Sequence, residues 1–121
     1  MLLLADVSTH RKNIEPYWDI PGGRIEEGDD VITTLRREIN EDTSIKQIGD
    51  PVFVTSVVSN HEIPIDDSRM AGLILMVYKV NIPTNSKVLI SEEHSAYEWV
   101  DKTEAADRLK HKYPAEFTDS L

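Results

Sequence analysis

Residues 18–45, WDIPGGRIEEGDDVITTLRREINEDTSI, constrain the fold of this chain more than any other stretch. Pro21 pushes Ile20 towards the extended region. Gly22 and Gly23 permit positive φ or a close backbone approach. An acidic loop follows, and Asp29 and Asp30 then stand before Val31, where a carboxylate can cap a helix and suit its dipole. The spacing predicts a helix over 30–43. Val31, Leu35 and Ile39 recur at i, i+4 and i+8 to form its apolar stripe, with Ile32 at the margin.

Seven of the 22 acidic residues lie between Glu26 and Asp42. An α-helix turns by about 100° per residue, so with Val31 at zero Leu35 falls near about 40° and Ile39 near about 80°. By the same rule Glu38 falls near about 340°, Asp42 near about 20° and Glu41 near about 280°. Glu38 and Asp42 are therefore level with the stripe that faces the core, and Glu41 is beside it. Carboxylates held so close together repel one another when partly desolvated. Salt bridges such as Arg37 with Glu41 offer a weak remedy. A hard divalent cation offers a stronger one, and an oxygen-only donor set suits Mg²⁺ or Mn²⁺ better than Zn²⁺. The spacing leaves both readings open, a metal site or a helix edge with ordinary ion pairs.

Composition narrows the function classes. The chain has 121 residues, a length that suits one domain able to bury its own core. There is no cysteine, which excludes disulfides, thiolate metal sites and a cysteine nucleophile. The formal net charge of −9 repels bare polyanions, so no nucleic-acid partner is expected. A phosphorylated small molecule remains compatible if a divalent cation accompanies it. The start, MLLLAD, is too short an apolar run for a signal peptide or a membrane span, so a cytoplasmic protein without membrane association is expected.

Elsewhere the chain reads as short strands and turns. Residues 2–5 suit a buried strand, and 6–16 a polar loop carrying His10, Arg11 and Lys12. Residues 17–20 are extended. Residues 52–58 are rich in β-branched side chains and predict a strand. Residues 59–70, with Pro64 inside, read as a polar loop. Residues 71–80 are nearly all apolar and predict a central strand covered on both faces. Residues 87–90 and 96–100 read as two further strands. Asp101 or Thr103 can cap a second helix over 104–110, Pro114 ends it, and Phe117 and Leu121 suit a short last turn of helix. His61 and His94 read as loop residues without metal-ligand spacing. Trp18 and Trp99 read as core or pocket-wall residues. The irregular alternation of elements predicts an α/β (α+β) domain with a mixed β-sheet between helices.

The organising stretch resembles the Nudix box, G-x5-E-x7-R-E-U-x-E-E-x-G-U with U aliphatic. Gly23 takes the first position, Asp29 the first Glu, Arg37-Glu38-Ile39 the R-E-U, Glu41 and Asp42 the acidic pair, and Ser44 and Ile45 the last two. The approach Trp18-Asp19-Ile20-Pro21-Gly22-Gly23 is also similar to the family's. Glu26 and Gly28 stand where it often has Glu and Gly. Ser91-Glu92-Glu93-His94 followed by Tyr97-Glu98-Trp99-Val100 is similar to a stretch common near the end of such domains.

The resemblance implies a single Nudix domain over residues 1–121, an α/β/α sandwich with a mixed β-sheet. It implies Mg²⁺-dependent hydrolysis of a diphosphate linkage in a nucleoside diphosphate bound to another group, with Mn²⁺ as a substitute. The short chain suits a compact (d)NTP-type pyrophosphohydrolase, and a homodimer is a candidate assembly. By position, Glu38, Glu41, Asp42 and the Gly23 carbonyl match the metal ligands. Glu38 matches the general base, Arg37 the residue that orients the acids, and Glu93 an extra acid or base. Arg24 is a candidate phosphate contact. Three positions depart from the pattern. Asp29 and Asp42 shorten the carboxylate by one methylene, and Ser44 replaces a Gly that would suit a left-handed helix end. These departures motivate the alternative of a catalytically weak or inactive Nudix-fold nucleotide-binding module. Such domains usually carry a strand ahead of the one at 2–5, so either the start is truncated or misread, or another element covers that sheet edge.

Overall fold

The computed structural model describes residues 1–6 and 17–121, with residue 6 described through its backbone alone. The expected loop with His10, Arg11 and Lys12 therefore lies outside the described residues. In chain order the elements are β1 (Leu2–Asp6), β2 (Trp18–Asp19), α1 (Val31–Thr43), β3 (Val52–Val58), β4 (Ile63–Asp66), β5 (Arg69–Ala71), β6 (Ile74–Lys79), β7 (His94–Trp99), α2 (Lys102–Leu109) and α3 (Ala115–Thr118). They group into two compact units, Met1–Pro51 with Val80–Val100 and Val52–Lys79 with Asp101–Leu121.

In the first unit β1 lies between β2 and β7, antiparallel to both. Leu4 faces Asp19 on one side and Tyr97 on the other. With both edges paired, β1 is shielded on both faces as well: Leu3 and Leu4 point in opposite directions and are both buried. That double burial accounts for an opening run that is apolar without alternation.

Helix α1 has the expected limits. The Asp30 carboxylate accepts a hydrogen bond from Thr33 N at 2.7 Å. Before it, Asp29 N donates to Glu26 O at 3.0 Å, and Gly28 supplies the φ of +87° that this turn requires. The helix ends on Ser44, left-handed with φ 64° and ψ 13°. Ser44 N donates to Asn40 O at 2.8 Å, and the Ser44 hydroxyl donates to Leu89 O at 3.0 Å. The buried Thr43 hydroxyl donates to Ile39 O and accepts from Ile45 N. Ile39, Ile45 and Val88 form a buried cluster, flanked by Leu2, Leu35, Ile48, Val80, Ile82 and Ile90.

Residues 87–90 were expected as a strand and are not one. Their alternation is real, since Val88 is buried and Leu89 exposed. Their backbone is bonded to the end of α1 instead, through Leu89 N to Thr43 O at 2.9 Å. The left-handed Ser44 exposes that carbonyl, and the segment satisfies it.

In the second unit β3 pairs with β6, and β4 with β5, all antiparallel. The β4–β5 hairpin, residues 63–71, occupies most of what was expected as a polar loop over 59–70. The Asp66 carboxylate organises its turn, accepting from Ser68 N at 3.0 Å and Arg69 Nε at 2.8 Å. The acids that suggested a loop thus build the bend between two strands. The expected strand over 71–80 begins only at Ile74 and is not covered on both faces: Val77 is buried while Ile74 and Met76 are exposed. An apolar run of this length does not by itself report how many faces are covered. α2 is capped by Asp101, which accepts from Glu104 N at 2.8 Å. Asn60 donates to Lys110 O and Tyr113 O, tying the end of β3 to the segment after α2. Strands and a few helices are mixed as an α+β fold requires, and every ladder among the described residues is antiparallel.

The helix end offers a measurement. Ser44→Ala removes the hydroxyl bond to Leu89 and keeps the Cβ in the left-handed region, whereas Ser44→Gly removes both. Chemical denaturation is expected to find Ser44→Gly more stable than Ser44→Ala by about 1 kcal/mol. Equal stability of the two variants would contradict the left-handed cap.

Candidate functional site

The site is built where the glycine turn meets α1. Gly22 N donates to Asp42 Oδ2 at 3.1 Å. One helical turn earlier, Gly23 leaves room for the Glu38 carboxyl: a Cβ on Gly23 would overlap it. The i, i+4 spacing of Glu38 and Asp42 therefore grips two successive glycines, and a side chain at the second would displace the Glu38 carboxyl.

Arg37 is the hub of the acids. Its guanidinium lies 3.0 Å from Glu38 Oε1, 3.3 Å from Glu26 Oε1, 3.6 Å from Glu41 Oε1 and 3.7 Å from Asp29 Oδ2. It also donates to Arg24 O at 3.5 Å, closing the turn from the other side. The Arg24 side chain is exposed beside Gly23.

Asp42 occupies a separate corner. It is buried, and its Oδ1 lies 3.3 Å from His94 Nε2. Asp42, Glu93 and His94 bring three donor atoms within 4.8 Å of one another. Glu93 is exposed, and both ring nitrogens of His94 are buried, with Nε2 turned towards Asp42. His94 was expected in a loop. It opens β7, opposite Asp6 of β1. Its 52-residue separation from Asp42 left no spacing to detect; the signal available was its position at the start of a strand-forming segment.

Burial and charge raise the proton affinity of two acids. Burial pushes the Glu38 carboxyl up, and Asp42 and Glu41 push it further, while Arg37 pulls it back. Burial also pushes Asp42 up, the Gly22 N–H and His94 hold it back, and Glu93 adds to the rise. Concentrated carboxylate charge in a partly desolvated place is what a divalent cation relieves, and the oxygens of Glu38, Glu41, Asp42 and Glu93 are suitable donors. Of the expected ligand set, Gly23 and Glu38 are in contact and Asp42 is one turn away, while Glu38 and Glu41 both meet Arg37. Trp99 is 52% exposed and lines a shallow cavity with Ile82, Pro83 and Ser86.

The chain belongs to the NUDIX domain family, whose profile matches residues 1–121. It is similar to a crystal structure of the MutT protein from Methanosarcina mazei Go1, with 27% identity and a TM-score of 0.65, over 98% of this chain and 77% of that one. It is 26% identical to a MutT-like protein from Streptomyces ambofaciens over 104 residues, 86% of this chain and 60% of that protein. An octanoyltransferase from Myxococcus xanthus is 27% identical over 94 residues, 77% of this chain and 25% of that protein. The chain thus spans a quarter to three-fifths of the curated relatives it matches.

Two outcomes follow from the geometry. A carboxyl whose folded-state pKa lies above its unfolded value binds its proton more tightly when folded, so the fold weakens as pH rises through that interval. With a chelator present, the melting temperature is expected to fall as pH rises from the ordinary carboxylate range through the raised values of Glu38 and Asp42. Glu38→Gln is expected to melt above the unsubstituted protein at neutral pH in chelator, and a lower melting point would contradict the repulsion. Gly23→Ala meets only the mobile end of Glu38, so it is expected to fold normally. A crystal structure of that variant should show the Glu38 carboxyl displaced from the turn.

Proposed function

We propose that this chain is a divalent-metal-dependent Nudix pyrophosphohydrolase. It cleaves a diphosphate linkage in a nucleoside diphosphate joined to another group. The observation that carries this is the pairing of Gly22 and Gly23 with Asp42 and Glu38, beside an arginine that gathers four carboxylates. The family match over the whole chain supports it, as does similarity to MutT and MutT-like proteins. A nucleoside triphosphate is the substrate class taken in this reading. We read the two units as one domain and the protein as cytoplasmic; no helix among the described residues is long and apolar enough to cross a membrane.

In this reading Glu38, Glu41, Asp42 and the Gly23 carbonyl hold Mg²⁺, with Mn²⁺ as a substitute. Bound there, the ion supplies charge neutralisation at the diphosphate oxygens and a more acidic water. Glu38 takes the proton from the attacking water. Its raised proton affinity makes it a better base near neutral pH than an ordinary carboxylate. Arg37 keeps Glu38 ionised and aimed. Glu93, exposed beside Asp42 and His94, would serve as a second acid or base. Arg24 meets a phosphate oxygen.

A second reading, a nucleotide-binding module with little catalysis, is favoured by one contact pattern: Glu38 and Glu41 are both ion-paired with Arg37. Turnover separates the two. A phosphate-release screen over nucleoside triphosphates, nucleotide sugars and dinucleotides with Mg²⁺ is expected to find a substrate, with activity lost in chelator. Glu38→Gln is expected to lower kcat by about 10²–10⁴-fold. Nucleotide-induced stabilisation without turnover across the whole panel would replace the first reading with the second.

A further inference from the structure

We propose that the open face of the β3–β6 ladder is the contact surface of a symmetric homodimer, in which two copies of this chain pack sheet on sheet. The proposal goes beyond the hydrolytic reading and stands without it.

The two faces of the ladder differ. Directly opposed residues of an antiparallel pair share a face, and alternate residues along a strand return to it. Thr55 opposite Val77 and Val57 opposite Leu75 form one face, where Val57 and Val77 are buried. The register shift between Phe53 and Thr55 carries Phe53 to the other face, opposite Tyr78. Ser56 opposite Met76 and Val58 opposite Ile74 continue that face. The rings of Phe53 and Tyr78 meet edge-on, with centroids 5.5 Å apart and planes at 71°. On this face Phe53 is 52% exposed, Met76 48%, Val58 60% and Ile74 74%. Strand β6 is thus apolar on both faces and covered on one. A strand of that composition belongs where both faces are buried.

Three observations name a second copy as the cover. The first is area. Of the twelve exposed large apolar side chains among the described residues, eight lie between Val52 and Met76. A whole aliphatic side chain offers roughly 60–120 Å² and an aromatic one about 200 Å², so the face and the exposed side chains that flank it along the chain leave on the order of 500 Å² per copy. Two copies together bring about 1,000 Å², the size at which specific interfaces begin. The second is charge. Phe53, Ser56, Val58, Ile74, Met76 and Tyr78 carry none, in a chain of formal net charge −9. A partner recognised by its charge finds no complement here, and an anionic membrane repels the chain. A second copy brings an equally uncharged face. The third is symmetry. A twofold axis near the Ser56–Met76 pair sets the aromatic end of one copy, Phe53 and Tyr78, against the aliphatic end of the other, Val58 and Ile74. The two Met76 side chains meet at the centre, where a flexible thioether fills uneven gaps.

Sedimentation velocity of the whole chain tests this. As concentration rises through the micromolar range, the mass is expected to climb from 13.8 kDa towards twice that value. Added NaCl is expected to strengthen the association, because it screens the repulsion between two anionic copies. Ile74→Lys sets an unpaired cation inside the contact and is expected to weaken the dimer by about tenfold or more, with the melting temperature in dilute solution unchanged. A single 13.8 kDa species at every concentration overturns the proposal. So does a dimer that Ile74→Lys leaves intact, or one that salt dissolves. If Ile74→Lys melts early, Ser56→Cys replaces it. The chain has no cysteine, so a short bismaleimide is expected to join two copies through residue 56. Joining no more efficient than through Ser120→Cys, away from this face, overturns the proposal. Hydrolysis by a strictly monomeric chain would keep the proposed activity and remove the dimer, and a dimer without turnover would do the reverse.

Discussion

Everything at the site depends on how closely the turn at residues 21–23 approaches α1. Gly22 gives its N–H to Asp42, and Gly23 gives up the volume that the Glu38 carboxyl occupies. These contacts set the height of the turn over the helix. They also explain why two carboxylates stand where a helix would ordinarily place apolar side chains. Asp42 is buried because it substitutes for solvent at a backbone N–H. Glu38 is half-buried because a glycine has cleared a place for it. A side chain at residue 23 would move the acid before it disturbed the fold.

Around that clasp the negative charge is divided. Arg37 collects Glu26, Asp29, Glu38 and Glu41, drawing the acids of the loop and the helix to one side. Among the described residues Asp42 pairs with no arginine, and its neighbours are Gly22, Glu93 and His94. One cationic side chain thus faces four carboxylates, while another corner brings together an imidazole and two acids. Such division lets a single helix face serve two electrostatic purposes. The left-handed Ser44 completes the frame: by ending α1 sharply it frees the Thr43 carbonyl for Leu89, which seats Val88 in the core beneath the helix.

Much of this was legible beforehand because α-helical geometry is local. Val31 to Thr43 runs as the apolar stripe predicted, Asp30 caps it, and the wheel placed Glu38 and Asp42 level with that stripe and Glu41 beside it. β1, β3 and the second helix follow equally local patterns. The failures share a cause. Residues 87–90 look like a strand, but their hydrogen-bond partner is a helix terminus rather than another strand. Residues 63–71 look like a loop, because the Asp66 that turns the hairpin is the residue type that ordinarily marks one. In both places the backbone partner decided the element, and a partner is not a local property.

The sequence by itself determined the helix, its caps, the glycine turn and the side of the helix on which the acids stand, since propensity and periodicity act over a few residues. Tertiary structure alone decided which acids share Arg37, where residues 87–90 bond, and that His94 meets Asp42. That last contact joins residues from the end of a helix and the start of a strand, 52 positions apart. It exists because β7 pairs with β1 beside the turn that Asp42 holds, and no spacing along the chain encodes that pairing.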